Sequence, residues 1–235
     1  MLSLLLLTGL LHAGEAAGGV SVFDQVATPA KPFFLKLRTH RGLMPMGGVR
    51  GEFWIGEQRV GRCLTGADGY GFLKFTVSTA GVYKISARTT EGDADGRLLV
   101  VDKSAKTVLF EVEPLLWRTL IGQRGNDGHR VMKQIAADYQ LIYLCGLMGK
   151  TVARKLIRDR DLPDSIVLVG KNHDQFAQLQ HREINLYAVV GSSTFVTAAE
   201  AFCPRRFSFE NSAAATRVQD WNDLLLQINK RSEKP

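Results

Sequence analysis

The hydrophobic period of this chain changes once, between residues 101 and 107, and no other feature constrains the fold as much. Before the change, apolar residues alternate in short runs: Phe33-Leu35-Leu37, Phe53-Ile55, Phe72-Phe75-Val77, Val82-Ile85-Ala87 and Leu98-Leu99-Val100. Turn chemistry separates them at Gly47-Gly48, Asp68-Gly69, Ala80-Gly81 and Gly92 to Gly96. No segment there has a helical period, so the reading is an antiparallel β-sandwich over residues 30–102.

From Thr107 onward, apolar strands alternate with helical segments. Val108 to Val112, Leu141 to Cys145, Ile166 to Val169, Leu186 to Val190 and Phe207 to Phe209 read as strands. Gly128 to Tyr139, Lys150 to Arg160, Asp174 to Arg182, Thr194 to Phe202 and Gln219 to Lys230 read as helices. Strands joined by helices make a parallel sheet, here of five strands over residues 105–232. At 235 residues the chain is long enough for two such domains, with 45% hydrophobic and 23% charged residues to give each a core. Val101 to Lys106 is a short hinge that lets them abut.

Met1 to Ala13 is an apolar run too short to span a bilayer, and small residues follow it through Gly19. Gly14-Glu15-Ala16 offers small residues at both positions a signal peptidase reads, so residues 1–19 are expected to be a leader, although a basic start is missing. A buried N-terminal helix is the alternative. No later stretch is apolar enough to cross a membrane. The expectation is an exported protein, periplasmic or extracellular and peripheral to the membrane at most.

Cys63, Cys145 and Cys203 lie in unrelated contexts, and the five histidines are scattered, so neither a zinc site nor a disulfide framework is indicated. The charge of +7 favours acidic partners, but the basic residues are spread out and no recognition helix, zinc finger or stacking platform accompanies them. Nucleic acid is therefore not the expected partner.

Glu111 and Glu113 stand at the C-terminal end of the run Thr107-Val108-Leu109, where an open α/β sheet gathers ligands. Acids two residues apart on an extended segment share a face, which suits a cation or a division of acid and nucleophile duties. Two solvated glutamates at a strand end are the plain alternative.

Two resemblances follow from these residues. Leu64 to Phe72 with Ala80 to Ile85 resembles bacterial immunoglobulin-like modules, which carry a T-x-x-D-G turn and a later G-x-Y. Such a module implies a possible protein partner. Val108 to Glu113 resembles the first motif of the haloacid dehalogenase superfamily, whose strand ends in D-x-D. Gly128-His129-Arg130-Val131, Tyr139 to Cys145, Leu162 to Leu168 and Tyr187 to Gly191 resemble, in order, further motifs of its lipin-type, phosphatidate phosphatase-like branch.

The superfamily resemblance implies a Rossmann-like domain. Carried over residue by residue, Glu111 stands for the nucleophile, Glu113 for the acid and Cys145 for a phosphate-holding hydroxyl. Ala177 falls where a lysine is expected, and Gly191 to Val196 lacks the later metal-binding acids. Each catalytic position departs from the pattern. A displacement of ~1 Å from attack geometry costs ~100-fold, a lost phosphate-holding charge costs several kcal/mol more, and magnesium demands near-octahedral ligands that Glu111 and Glu113 alone do not supply. Cys145 lacks the arginine that would lower a nucleophilic thiol's pKa, since Gly146-Leu147-Met148-Gly149 follows it.

The expected function is thus that of a non-catalytic pseudoenzyme without cofactor, binding a phosphorylated or acidic ligand such as a phospholipid headgroup or envelope component. The candidate contacts are Ser192, Ser193 and Thr194 at a helix start, with Lys150 and Arg154 on a basic helix face. An N-cap and a solvated basic face are the alternative reading of those residues. Two other functions stay open: a magnesium-dependent phosphatase with Glu111 as nucleophile, and a structural or adhesive module.

Overall fold

The computed structural model describes residues 18–114, 127–146 and 148–230. The expected leader therefore lies outside the described residues up to position 17, while Gly18 and Gly19 belong to a strand.

Two sheets form the N-terminal half. One contains β1 (Gly18–Val22), β3 (Phe33–Arg41), β4 (Met44–Pro45) and β7 (Tyr70–Phe75), with β1, β4 and β7 each antiparallel to β3. The other runs in the order β2 (Gln25–Ala27), β9 (Gly92–Val100), β8 (Gly81–Thr89), β5 (Arg50–Ile55) and β6 (Gln58–Leu64). Their inner faces close over Leu35, Leu37, Phe53, Ile85, Ala87, Leu98 and Val100, which is the period-2 set that patterning identifies.

Several details differ from the sequence reading. Strands β1 and β2 precede residue 30, and β2 runs parallel to β9, so the sandwich is not wholly antiparallel. Residues 92 to 96 are strand rather than turn: β8 and β9 are joined at Thr90-Glu91, with Gly92 at φ 120° relieving the bend. Strand β6 went unrecognised because it lies at a sheet edge with few buried side chains and shows no apolar alternation.

The second half is a six-stranded, wholly parallel sheet of β10 (Thr107–Glu111), β11 (Gln140–Cys145), β12 (Ile166–Val169), β13 (Leu186–Val190), β14 (Arg206–Ser208) and β15 (Thr216–Arg217). The sequence reading has five strands; the sixth is two polar residues that carry no hydrophobic signal. The order β12-β11-β10-β13-β14-β15 reverses between β10 and β13, and such a reversal opens a crevice at the strands' C-terminal ends. Helices α1 (Asp127–Asp138), α2 (Lys150–Asp159) and α5 (Trp221–Asn229) pack on one face through Val131, Met132, Ile135, Ala153, Ile157, Leu224 and Ile228. The opposite face receives Phe176 and Leu179 of α3 (Asn172–His181) and Phe195 of α4 (Ser193–Ala198).

That second face is completed by the sandwich. Val26, Leu99 and Val101 pack into the same core as Leu109, Ile142, Ile166 and Leu168. The halves do more than abut, because the outer surface of β2 and β9 covers part of the parallel sheet. Asp24 sits at this seam with a fully buried carboxylate. It accepts both hydrogen bonds of the Arg154 Nη2 group at 2.5 and 2.6 Å, the Val167 N–H at 2.8 Å and the Arg97 N–H at 3.1 Å. Arg97 in turn donates to Asp164 and to the Ser165 carbonyl, Arg182 to the Val26 carbonyl, and Lys31 to Glu183.

Candidate functional site

Strand β10 ends between β11 and β13, so Glu111 stands at the point where the sheet order reverses. Its Oε2 accepts the Ser192 N–H at 2.7 Å, on the β13 side. Glu113 turns the other way, and its Oε1 accepts the Gly146 N–H at 2.8 Å, just past β11. The two carboxylates thus do not share a face as an extended i, i+2 pair would; the strand stops at Glu111 and the next residues are helical. Each carboxylate holds a backbone amide of the loop beside it.

A third acid does the same. Glu210, just past β14, accepts the Ser193 N–H at 3.1 Å. Sequence reasoning missed it, although the signal was the one that marked Glu111: an acid at the C-terminal end of a parallel strand. The three negative charges repel one another, but burial is the largest influence on Glu111 and raises its pKa. Its bonds to Ser192 lower it, while Glu113 and Glu210 raise it further. Among the described residues, no group of three His, Cys, Asp or Glu side chains is arranged to hold a metal ion.

The amides that would receive a phosphate are therefore engaged by the protein's own carboxylates. Gly191 makes the close approach possible, since a Cβ there would lie 2.4 Å from Phe195 Cδ1 and 2.8 Å from Glu111 Oε2. Ser192 N-caps α4, its Oγ accepting the Phe195 N–H at 3.4 Å and lying 3.1 Å from Thr194 Oγ1. Ser193 lends its carbonyl to the Thr197 hydroxyl. With six residues, α4 is too short to develop the terminal dipole that favours anions on longer helices.

Lys150 and Arg154 are not part of this edge. Arg154 is committed to Asp24, and Lys150 donates to the Val22 and Asp95 carbonyls with Asp24 3.7 Å away. Burial lowers the Lys150 pKa, partly offset by Asp24. The basic helix face foreseen as a phosphate contact thus serves the seam between the halves, because a buried carboxylate there demands cationic partners. Ala177 lies within α3 and presents no charge.

Cys145 is fully buried, and its thiol pKa is pushed up to about 11, first by burial and then by the neighbouring Glu113. A thiol so protonated is a poor nucleophile. Cys63, Cys145 and Cys203 are all unbridged.

No family model matches the chain, and no curated protein matches it. Solved structures similar to part of it include the CARDB domain of a Pyrococcus furiosus protein, at 16% identity over 36% of this chain and 94% of that domain, with a TM-score of 0.28. The D00-D0 domain of intimin matches at 14% identity over 37% of this chain and 49% of its own, with a TM-score of 0.31. The fibronectin(III)-like modules of Clostridium thermocellum CbhA match at 14% identity over 36% of this chain and 98% of theirs, with a TM-score of 0.27. At such scores these likenesses carry no argument about function.

Proposed function

We propose that this is an exported, non-catalytic binding protein whose α/β half is a degenerate, haloacid dehalogenase-like domain serving as a rigid support. The observation that carries this reading is the pairing of Glu111 with the Ser192 amide and of Glu113 with the Gly146 amide. Negative charge already fills the donors that a transferring phosphoryl group would need, and a second anion brought to the same amides meets repulsion. Strand order and the position of both acids at its reversal support descent from a phosphoryl-transfer domain. The immunoglobulin-like reading of the sandwich belongs to the same proposal, as does an acidic ligand bound away from the sheet edge.

The test is release of phosphate from p-nitrophenyl phosphate by the full chain with magnesium, manganese or cobalt. No turnover above the metal blank is expected. Steady cation-dependent release that disappears in Glu111→Ala would overturn the proposal in favour of a phosphatase with a glutamate nucleophile.

A further inference from the structure

We propose that the outer face of the β1-β3-β4-β7 sheet, with the β3–β4 hairpin tip, docks on an anionic lipid bilayer. The strands of this sheet carry four basic residues, Lys36, Arg38, Arg41 and Lys74, and no acidic one. The antiparallel register sets Phe34 opposite Lys74, Lys36 opposite Phe72 and Arg38 opposite Tyr70. Cation and ring therefore alternate across the face. Phe34 is 55% exposed and Phe72 51%, while Leu43 and Met44 at the hairpin tip are 97% and 71% exposed. Aliphatic side chains held in water beside basic and aromatic ones match an interfacial membrane surface, where apolar tips enter the acyl boundary and cations meet headgroup charge.

The tip is held rigidly. The Thr39 hydroxyl donates to the Met46 carbonyl at 2.5 Å, the Thr65 hydroxyl donates to that same carbonyl at 3.1 Å, and the Met46 N–H bonds the Thr39 carbonyl at 3.0 Å. Gly69, at φ 76°, lets its turn pass so close that a Cβ would lie 2.4 Å from the Thr39 carbonyl. Leu43 and Met44 are thereby kept outward without a local collapse that would cover them. Two acids lie near this end: Glu91 is 3.7 Å from Arg41 and offsets part of its charge, and exposed Asp68 accepts the Tyr70 N–H at 3.0 Å and acts on Lys36, so Lys74 is a cation paired with no acid among the described residues.

One further observation favours a bilayer over a nucleic acid as the acidic partner. The ammonium of Lys36 lies 4.6 Å from the Phe23 ring centroid and 4.3 Å from that of Tyr70, and the Arg38 guanidinium lies 5.3 Å from the Tyr70 centroid, so these rings are engaged rather than presented for base stacking. The apolar contact between the halves uses the opposite sheet, through Val26 and Leu99, and the α/β half reaches this sheet at the end of β1, where Lys150 donates to the Val22 carbonyl.

The experiment is flotation of the full chain with phosphatidylcholine vesicles with and without phosphatidylserine. An environment-sensitive dye is placed on Leu43→Cys, or on Glu57→Cys at the other end of the sandwich, in a Cys63→Ala background. Recovery with serine-lipid vesicles and a blue shift at position 43 but not 57 are expected. Recovery should fall about ten-fold in Leu43→Ser/Met44→Ser and about five-fold or more in Lys74→Glu. Equal recovery on neutral vesicles, no dye response at 43, or unchanged recovery in the tip variant would overturn the proposal. Tighter capture of a single-stranded oligonucleotide that ignores the tip substitutions would also overturn it. The docking proposal shares only the acidic-ligand part of the preceding reading: phosphate turnover by a chain that still floats would sink the non-catalytic role alone.

Discussion

Asp24 and Arg154 meet across the seam of the two halves: a carboxylate with no exposed surface accepts two bonds from one guanidinium nitrogen, and its remaining capacity goes to the amides of Val167 and Arg97. A buried ion pair of this kind adds little net stability relative to an apolar substitute, yet breaking it by removing one partner is costly. Its geometry fixes how the sandwich sits on β12. The halves are therefore expected to unfold together.

Asp24→Ala leaves the partly buried Arg154 guanidinium without its acceptor and strips two amides of theirs, and is expected to cost about 3 kcal/mol, the low end for a broken buried pair because solvent reaches the arginine. Asp24→Asn keeps an acceptor oxygen and should cost less. Urea denaturation followed by tryptophan fluorescence and by circular dichroism checks this: the midpoints of wild type should coincide between probes, and those of Asp24→Ala should separate as the seam loosens.

Glu111 gives a prediction with a definite sign. Because its folded pKa is raised above the ordinary carboxylate value, the unfolded chain loses its proton first as pH rises, and stability falls through the window between the two values. Below that window both states are protonated and the penalty vanishes. Glu111→Gln should therefore raise the Tm at about pH 7.5 and leave it unchanged at about pH 4. A variant less stable than wild type at neutral pH would show that the charged bond to Ser192 outweighs burial.

If the crevice excludes phosphate because its donors are engaged, freeing them should admit it. The double variant Glu111→Ala/Glu113→Ala exposes the Ser192 and Gly146 amides and removes two charges. Inorganic phosphate at about ten times its dissociation constant stabilises a binding fold by about 1.4 kcal/mol, so a phosphate titration should raise the Tm of the double variant and not that of wild type. The same flat response in both would mean that the amides alone do not make a site.

The parallel sheet was legible because its longer strands are continuous apolar runs: the edge strand Ile166–Val169 and the inner strand Leu186–Val190 have the bounds that the sequence indicates. Strands β6 and β15 escaped notice, since neither has a fully buried residue to leave a pattern, whereas β12, also at an edge, is covered by the sandwich. At the candidate site the residues were visible and their partners were not. Glu111 and Glu113 stand out by position, but that each would hold a backbone amide depends on where the neighbouring loops return. Lys150 and Arg154 have helical spacing that places them on one face; only the packing of Asp24 against that face reveals what the face is for.

Thiol chemistry offers the last check. Cys145 and Cys203 are buried, and burial raises both pKa values, Cys145 to about 11 with Glu113 adding to the rise. The Cys203 Sγ also donates to the Leu186 and Arg205 carbonyls at 3.4 Å. Cys63 is half-buried on β6, and desolvation raises its pKa too, but solvent reaches it. In the native protein at about pH 8, where an ordinary thiol of pKa about 8.5 is partly ionised, a disulfide reagent should modify Cys63 slowly and leave Cys145 and Cys203 unmodified over the same interval. All three should react at once in denaturant. Rapid native reaction at Cys145 would require a thiolate at the sheet edge, and with it a nucleophile that the arrangement of Glu113 and Gly146 argues against.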